Sequence, residues 1–354
     1  MPETLLRASA RVALANPTLH LDKLLDYFSE HGAVTRFDCR GTIGLSFGMA
    51  LIEAEGDGLR LVAEGEDETG LAYMKYALAN HVIEFAGKEH PRIIWSGDGA
   101  AGTLPPFFRE MRVVRARNIS PRMRRVTLQG SNLKRFEYGG LHVHLLFPPR
   151  DAKEPRWPVT GEDGRPVWPD GAFKLVARVY TIRNIDASRG EVEIDIVIHD
   201  GTPGSEWAIN AKPGDLVGMT GPGGGDVAAA DWYLLAGDET ALPAIARILE
   251  RLPESATAVV RIEVDSVADE QKLTTACAVD LVWLHRRGAP AGTRSLLPEA
   301  IAAVDFPTGD TKVFAWAGCE FSAFKAIRQH VRNKRKLKRE EHLVVSYWRR
   351  GQEG

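Results

Sequence analysis

From residue 226 to the end, short apolar runs alternate with helical patterns, and that rhythm leaves few folds open. Tyr233–Ala236, Ala258–Val264, Val279–Leu284, Val313–Gly318 and Leu343–Trp348 read as strands. Leu242–Leu252 and Phe321–Lys338 read as helices, with apolar residues at helical spacing. Strands that alternate with helices imply a doubly wound parallel sheet, so residues 226–354 are expected to form an α/β domain.

Residues 106–225 follow another rule. Met111–Ile119, Met123–Gln129, His142–Phe147, Leu175–Ile182, Glu191–Ile198 and Leu216–Gly221 are short strand candidates separated by Gly and Pro turns. That pattern predicts a closed antiparallel barrel. The Pro-rich interval 148–172 is expected to be a long loop or hairpin over it. Residues 1–105 read as a small α+β domain. Its helices are Thr18–Glu30 and Asp67–Glu84, and its strands lie near Val34–Asp38, Ile43–Glu55, Leu59–Ala63 and Ile93–Trp95. Ser96–Pro106 reads as a linker.

At 354 residues the chain is long enough for three such domains. A net charge of −2 gives no global reason to expect nucleic acid. No apolar run reaches the roughly 18 residues of a membrane span. Met1-Pro2-Glu3-Thr4 opens no secretory signal, so the cytoplasm is the expected location. Three scattered cysteines, Cys39, Cys277 and Cys319, form no C-x-x-C pair, which argues against zinc and iron–sulfur sites. If the protein moves electrons, their carrier is organic or supplied from outside. His142 and His144 share a strand face but lack the further ligands a metal needs.

Arg178-Val-Tyr180-Thr181-Ile-Arg183 closes a predicted strand. An Arg can pair with a phosphate, a Tyr ring can stack on an isoalloxazine, and a Thr hydroxyl can bond a ring nitrogen. With a period of two, Arg178 and Tyr180 share a face. Ordinary edge-strand residues would read the same way. Gly201-Thr-Pro-Gly204-Ser205-Glu-Trp207 follows the strand that ends at His199 and Asp200. It opens a helix whose amides could hold a second phosphate, or it is a simple capped turn. Gly237-Asp238-Glu239-Thr240 links a strand to a helix that Asp238 or Thr240 can cap, with Pro243 in the first turn. Such a turn suits a dinucleotide diphosphate. Gly221-Pro-Gly-Gly-Gly-Asp226 only imitates a dinucleotide fingerprint: its sixth residue is Asp226, and it precedes a strand. The run Lys325–Arg339 carries eight basic residues. It reads as a solvated helix face rather than a nucleic-acid surface, because Phe321, Phe324, Ile327 and Val331 line the other side.

In this order the motifs resemble the ferredoxin-reductase-like flavoproteins. The segments HDGTPGSEWA (199–208), LAGDETALPAIARIL (235–249), WAGCEFSAFKAIRQH (316–330) and SYWRRG (346–351) are similar to the siderophore-interacting protein family of FAD-dependent ferric-siderophore reductases. The resemblance covers residues 109–351. The N-terminal block resembles a small domain of unknown function fused to some members.

The resemblance implies FAD and NADPH as cofactors, with NADH as the alternative donor; the basic helix favours the 2′-phosphate. Arg178, Tyr180 and Thr181 would hold the flavin and its phosphate, with His199, Gly204, Ser205 and Trp207 around the diphosphate. Asp238, Glu239 and Thr240 would line the nicotinamide site, Gly318 would permit its close approach with Glu320 beside it, and Tyr347 and Trp348 would cover flavin or adenine. His144 and Arg183 are the candidates to face an anionic ferric siderophore. Relatives often carry Lys or Arg at the position of His144, and an Arg where this chain has Gly223-Gly224. No general acid–base pair is expected, since the flavin converts a hydride into single electrons for Fe(III). Two rivals remain open: a flavin reductase supplying a partner protein, and a siderophore-binding carrier without catalysis. A protein electron donor is the alternative to the nicotinamide.

Overall fold

In a computed structural model of the protein, residues 5–150, 154–199, 201–225 and 227–352 are described. Met1–Thr4, Asp200 and Asp226, which entered the sequence reading, lie outside them. The chain divides into two compact units. The first holds residues through Phe108 together with Pro149–Leu175, and the second holds Arg109–Pro148 and everything from Val176 on.

The first unit is an antiparallel sheet backed by two helices. Its elements are β1 (Leu6–Ala13), α1 (Pro17–Ser29), β2 (Ala33–Phe37), β3 (Arg40–Leu45), β4 (Gly48–Glu55), β5 (Gly58–Gly65), α2 (Glu68–Ala86) and β6 (Ser96–Gly97). The sheet order is β2-β3-β4-β5-β1-β6. α1 buries Leu21, Leu24, Leu25 and Phe28, and α2 buries Leu71, Met74, Leu78 and Val82. The Asp67 carboxylate caps α2 by accepting from the Gly70 N–H at 2.7 Å. These two apolar stripes close the core against Ile43, Ile52, Leu59 and Leu61. β1 escapes a pattern search because its inward residues include the small Ala8 and Ala10. The segment 149–175 groups with this unit and carries a hairpin of Val159–Thr160 with Pro166–Val167.

The second unit begins with a closed barrel: β7 (Phe108–Ser120), β8 (Met123–Gln129), β9 (His142–Phe147), β10 (Val176–Asp186), β11 (Glu191–Val197) and, after α3 (Pro203–Asn210), β12 (Leu216–Gly223). The strands close in the order β10-β11-β8-β7-β12-β9. Alternate residues such as Val126, Leu128, Val143, Leu145, Ile194 and Met219 fill the interior, as the strand period requires.

A five-stranded sheet follows, built from β13 (Trp232–Asp238), α4 (Leu242–Leu249), β14 (Thr257–Val264), β15 (Ala278–His285), α5 (Leu296–Ala302), β16 (Val313–Glu320), α6 (Phe321–Gln329) and β17 (His342–Trp348). The order is β15-β14-β13-β16-β17, and every pairing is parallel. Leu235, Ile262 and Trp316 pack with α4 on one face, while Leu234, Ala236 and Ala315 pack with α5 and α6 on the other. The doubly wound architecture, the barrel and the small α+β unit are those expected from the sequence. No helix among the described residues is long and apolar enough to cross a membrane.

α6 is shorter than its apolar pattern suggests. It gives way to a π-helical turn at His330–Lys334, and Lys336 takes a left-handed conformation (φ 60°). Arg335 redirects the chain: its guanidinium donates to the Val304 carbonyl at 2.6 Å and lies 4.6 Å from the Phe306 ring.

Barrel and sheet are fastened together through α4, all of whose residues are buried. Arg247 on α4 donates to the Ile182 carbonyl at 3.1 Å and to the Leu141 carbonyl at 3.4 Å. Asp269 accepts from Ser120 Oγ and from the Arg122 N–H, both at 3.2 Å.

Candidate functional site

β10 pairs antiparallel with β9, matching Arg178 with Leu145, Val179 with His144, Tyr180 with Val143 and Thr181 with His142. Arg178 and Tyr180 share one half-buried face, while Ala177 and Val179 are exposed. The Arg178 guanidinium donates only to its neighbour's carbonyl, Ala177, at 2.8 Å, and among the described residues it pairs with no carboxylate. Burial pushes the Tyr180 phenol up to about 12, against the opposing pull of Arg178. The Tyr180 and Trp207 rings lie 6.2 and 5.0 Å from Phe147.

The first turn of α3 backs onto this cluster. A Cβ on Gly204 would stand 1.9 Å from Tyr180 Oη, so only glycine fits. Thr202 gives α3 no side-chain cap, and Pro203 occupies the first turn. The Gly204 and Ser205 amides therefore lie among the donors that helix geometry leaves without an intrahelical partner. Ser205 Oγ is turned inward to accept from the His199 N–H at 3.0 Å, and the exposed His199 ring lies 3.4 Å from Thr202 Oγ1. A cation without a carboxylate partner among the described residues, a ring and a helix start lie along this strand and helix, and that donor set fits a planar group carrying a diphosphate. Gly204→Val should weaken flavin retention about tenfold or more, because displacing Tyr180 forfeits about 1.4 kcal/mol or more of contact. Equilibrium dialysis with FAD checks this; unchanged affinity would remove α3 from the site.

Thr181 and His142 take part in a different arrangement. Both are buried. The Tyr347 hydroxyl bonds the Thr181 hydroxyl and lies 2.5 Å from His142 Nε2. Burial, and then the Arg247 cation, push His142 down to about 4, so its imidazole is neutral; burial pushes the Tyr347 phenol far up. The Tyr347 ring also covers Gly318, where a Cβ would stand 2.9 Å from Tyr347 Cζ. One residue of the last strand thus joins Thr181 of β10 to the end of β16. His142 is the functional candidate that sequence reasoning passed over in favour of His144. The signal was the His-Val-His pattern itself, but only its buried member meets Tyr347.

The glycines of the connector now have a reason. A Cβ on Gly224 (φ 96°) would stand 2.2 Å from His142 Nδ1, whereas one on Gly223 meets nothing within 4 Å. His144 is exposed beside Val179, which is 57% accessible. Arg183 lies four residues further along β10, roughly 13 Å away. It forms a two-pronged pair with Glu250 at 2.7 and 3.0 Å. The two siderophore candidates are therefore not brought together.

At the carboxyl ends of β13 and β16, Gly237 and Gly318 are direct neighbours. A Cβ on Gly237 would stand 2.4 Å from that of Ala241 and 2.6 Å from the Gly318 oxygen, which accounts for the tight strand-to-helix turn. Asp238 does not cap α4; the N-cap is Ala241. Its carboxylate instead gathers four donors: the Thr240 N–H and hydroxyl, the Glu320 N–H at 3.0 Å and Trp348 Nε1 at 2.8 Å. Burial and then the neighbouring Glu239 raise Asp238 to about 6. Glu239 is clamped by the Arg286 guanidinium at 2.7 and 2.5 Å, and Arg286 reaches Glu263 at 3.4 Å. Glu320 caps α6 through Ser322 and also accepts from the Arg350 N–H, bonds that hold its carboxyl below the usual range despite desolvation. The carboxylates of Asp238, Glu239 and Glu320 are thus occupied internally. What this edge offers a ligand is backbone at Gly237, Thr240 and Gly318.

A closed barrel carrying the Arg178–Tyr180 cluster is thus followed by a parallel sheet with glycine-lined strand ends. Residues 112–226 match the siderophore-interacting FAD-binding domain, residues 230–351 match siderophore-interacting protein, and residues 9–96 match an uncharacterized protein conserved in bacteria. The chain belongs to the siderophore-interacting protein family. It is 35% identical to ferric vibriobactin reductase ViuB of Vibrio cholerae over 243 residues, 67% of this chain and 88% of that one. It shares 39% identity over 153 residues with the NADPH-dependent ferric-chelate reductase of Escherichia coli, 42% of this chain and 59% of that one. A siderophore utilization protein from T. fusca superposes with a TM-score of 0.63 at 39% identity, covering 72% of this chain and 97% of that one.

Proposed function

We propose that the protein is a ferric-siderophore reductase that takes its electrons from NADPH. The observation that carries this reading is Arg178, without a carboxylate partner among the described residues, beside Tyr180 and the start of α3, in the same unit as the glycine-lined ends of β13 and β16. The names of the Vibrio and Escherichia relatives support it. Arg178 and the Gly204 and Ser205 amides hold the FAD diphosphate, Tyr180 stacks on the ring, and Thr181 bonds a ring nitrogen. Tyr347 fixes the Thr181 hydroxyl from behind. Asp238 orients the Thr240 and Glu320 backbone and the Trp348 indole, so the nicotinamide meets a rigid edge. When bound, the flavin supplies the exchange between two-electron and one-electron chemistry. Iron leaves because Fe(II) is a poorer partner than Fe(III) for hard oxygen ligands.

His144 faces the siderophore in this reading, and Arg183 acts through its pair with Glu250 at the margin. The open space at Gly223 would admit a basic side chain. The test is anaerobic addition of NADPH, then of a ferric siderophore, with flavin absorbance followed throughout. Bleaching by NADPH and recovery on adding the siderophore are expected. Bleaching without recovery would instead make the protein a flavin reductase for another acceptor. His144→Lys with Gly223→Arg should tighten binding of an anionic ferric siderophore, and less so at high salt. An unchanged affinity would place His144 away from the substrate.

A further inference from the structure

The first unit closes its core without any residue of 149–175, yet it holds that segment at several points. The Gly102 N–H donates to the Thr160 carbonyl and the Thr160 N–H to the Thr103 carbonyl, both at 2.8 Å. The Trp95 N–H donates to the Glu162 carbonyl at 3.0 Å, and its indole N–H to the Asp163 carbonyl at 2.9 Å. Arg92 pairs with the Glu162 carboxylate at 3.0 Å. Beneath them Lys75 is buried, its Nζ donating to the Gly99 carbonyl at 2.7 Å and lying 5.8 Å from the Trp95 ring. The turn residue Gly164 rests on this floor: a Cβ there would stand 2.9 Å from Lys75 Cβ and 3.2 Å from Trp95 Nε1.

The held segment leaves the barrel after Phe147 and returns at Val176, and these two residues are paired across β9 and β10. Arg178 lies two residues beyond that rung. Strand ends open locally before strand centres, and the order of a strand's first residues depends on the chain that feeds them. Thr181 and Ile182 are buried and need no such help, but Ala177 and Val179 are exposed on either side of Arg178. We infer that the N-terminal unit is a clasp for the 149–175 segment, and that by holding it the unit keeps Arg178 ordered for flavin binding. This rests on the reading of Arg178 as a flavin phosphate ligand. It gives the N-terminal unit a function: control of cofactor affinity through a loop it does not itself encode.

The experiment uses the full chain and two variants that leave the unit's fully buried core residues unchanged. Gly164→Val puts a branched side chain at φ 81° against Lys75. Arg92→Ala with Trp95→Phe removes the ion pair and the indole bond. Both should speed tryptic cleavage within the segment, at Arg156 and Lys174, and weaken FAD binding about fivefold or more, while the absorption bands of bound flavin stay unchanged. Coupling is reciprocal, so FAD added to the wild-type apoprotein should slow cleavage at Arg156 and Lys174. Faster cleavage with FAD affinity unchanged overturns the inference, as does cleavage that no variant and no FAD alters. A wild type that binds no FAD overturns the flavin reading itself, a result separable from the other two.

Discussion

Arg178→Ala combined with Tyr180→Ala should yield a folded protein that no longer retains FAD. The guanidinium has no carboxylate partner among the described residues, so removing it breaks no ion pair among them. Its loss should cost the cofactor a charge-assisted contact of about 1.5–3 kcal/mol. Loss of the Tyr180 ring removes a stacking surface of about 0.5–1.5 kcal/mol. The pair should weaken FAD by on the order of a hundredfold, enough to turn a yellow preparation colourless after gel filtration. Thermal unfolding distinguishes this from collapse: the change in Tm should be small for Arg178→Ala alone. A double variant that keeps its flavin would remove the foundation of the proposed function.

Arg286→Met should be the most damaging single change in the sheet's carboxyl edge. Arg286 is 2% exposed and neutralises two buried carboxylates, Glu239 and Glu263. Removing one member of a buried ionic cluster typically costs about 3–5 kcal/mol, because the remaining charges stay desolvated. The loss should depend on pH with a definite sign. Desolvation already raises Glu263 to about 7, outweighing the pull of Arg286. A carboxyl raised in the folded state binds its proton there more tightly than in the unfolded chain. Its contribution therefore favours folding below the unfolded value and fades as pH rises through the folded one. Without Arg286 this group should rise further, so the deficit of the variant should be large at pH 8 and shrink towards pH 5. His142, pushed down to about 4, contributes the opposite slope, but equally in both proteins. Denaturant titrations at the two pH values check this. Adding Glu239→Gln and Glu263→Gln should recover much of the loss, and a deficit that stays constant with pH would contradict the assignment.

What the sequence made legible was governed by short range. The stripes Leu21-Leu24-Leu25-Phe28 and Leu71-Met74-Leu78-Val82 marked α1 and α2 because a helix repeats within four residues. Arg178 and Tyr180 share a face because a strand repeats every two. What stayed hidden depends on partners far along the chain. Nothing near His142 and His144 says which is buried; Tyr347, 205 residues away, decides it. Arg183 reads as a free cation until Glu250 is folded beside it. Asp238 reads as a helix cap, yet its acceptor capacity is taken up by Thr240, Glu320 and Trp348. The segment 148–172 looks like a barrel loop, because its Pro and Gly residues announce turns without naming the surface that receives them. α6 stops early for a similar reason: Val304 and Phe306, not its own residues, redirect Arg335.

The hydroxyl of Tyr347 also sets a rule for rebuilding this protein from the parts of its relatives. It joins Thr181 of one segment to His142 of another, and the connector is glycine at 224 because His142 lies there. These four positions belong to four stretches of chain that a simple crossover would separate. A hybrid that takes its terminal strand from a relative inherits one jaw of a fitting and keeps the other three. Residues 142, 181, 224 and 347 therefore have to be exchanged as a set, and the carboxyl terminus is a poor place to trim.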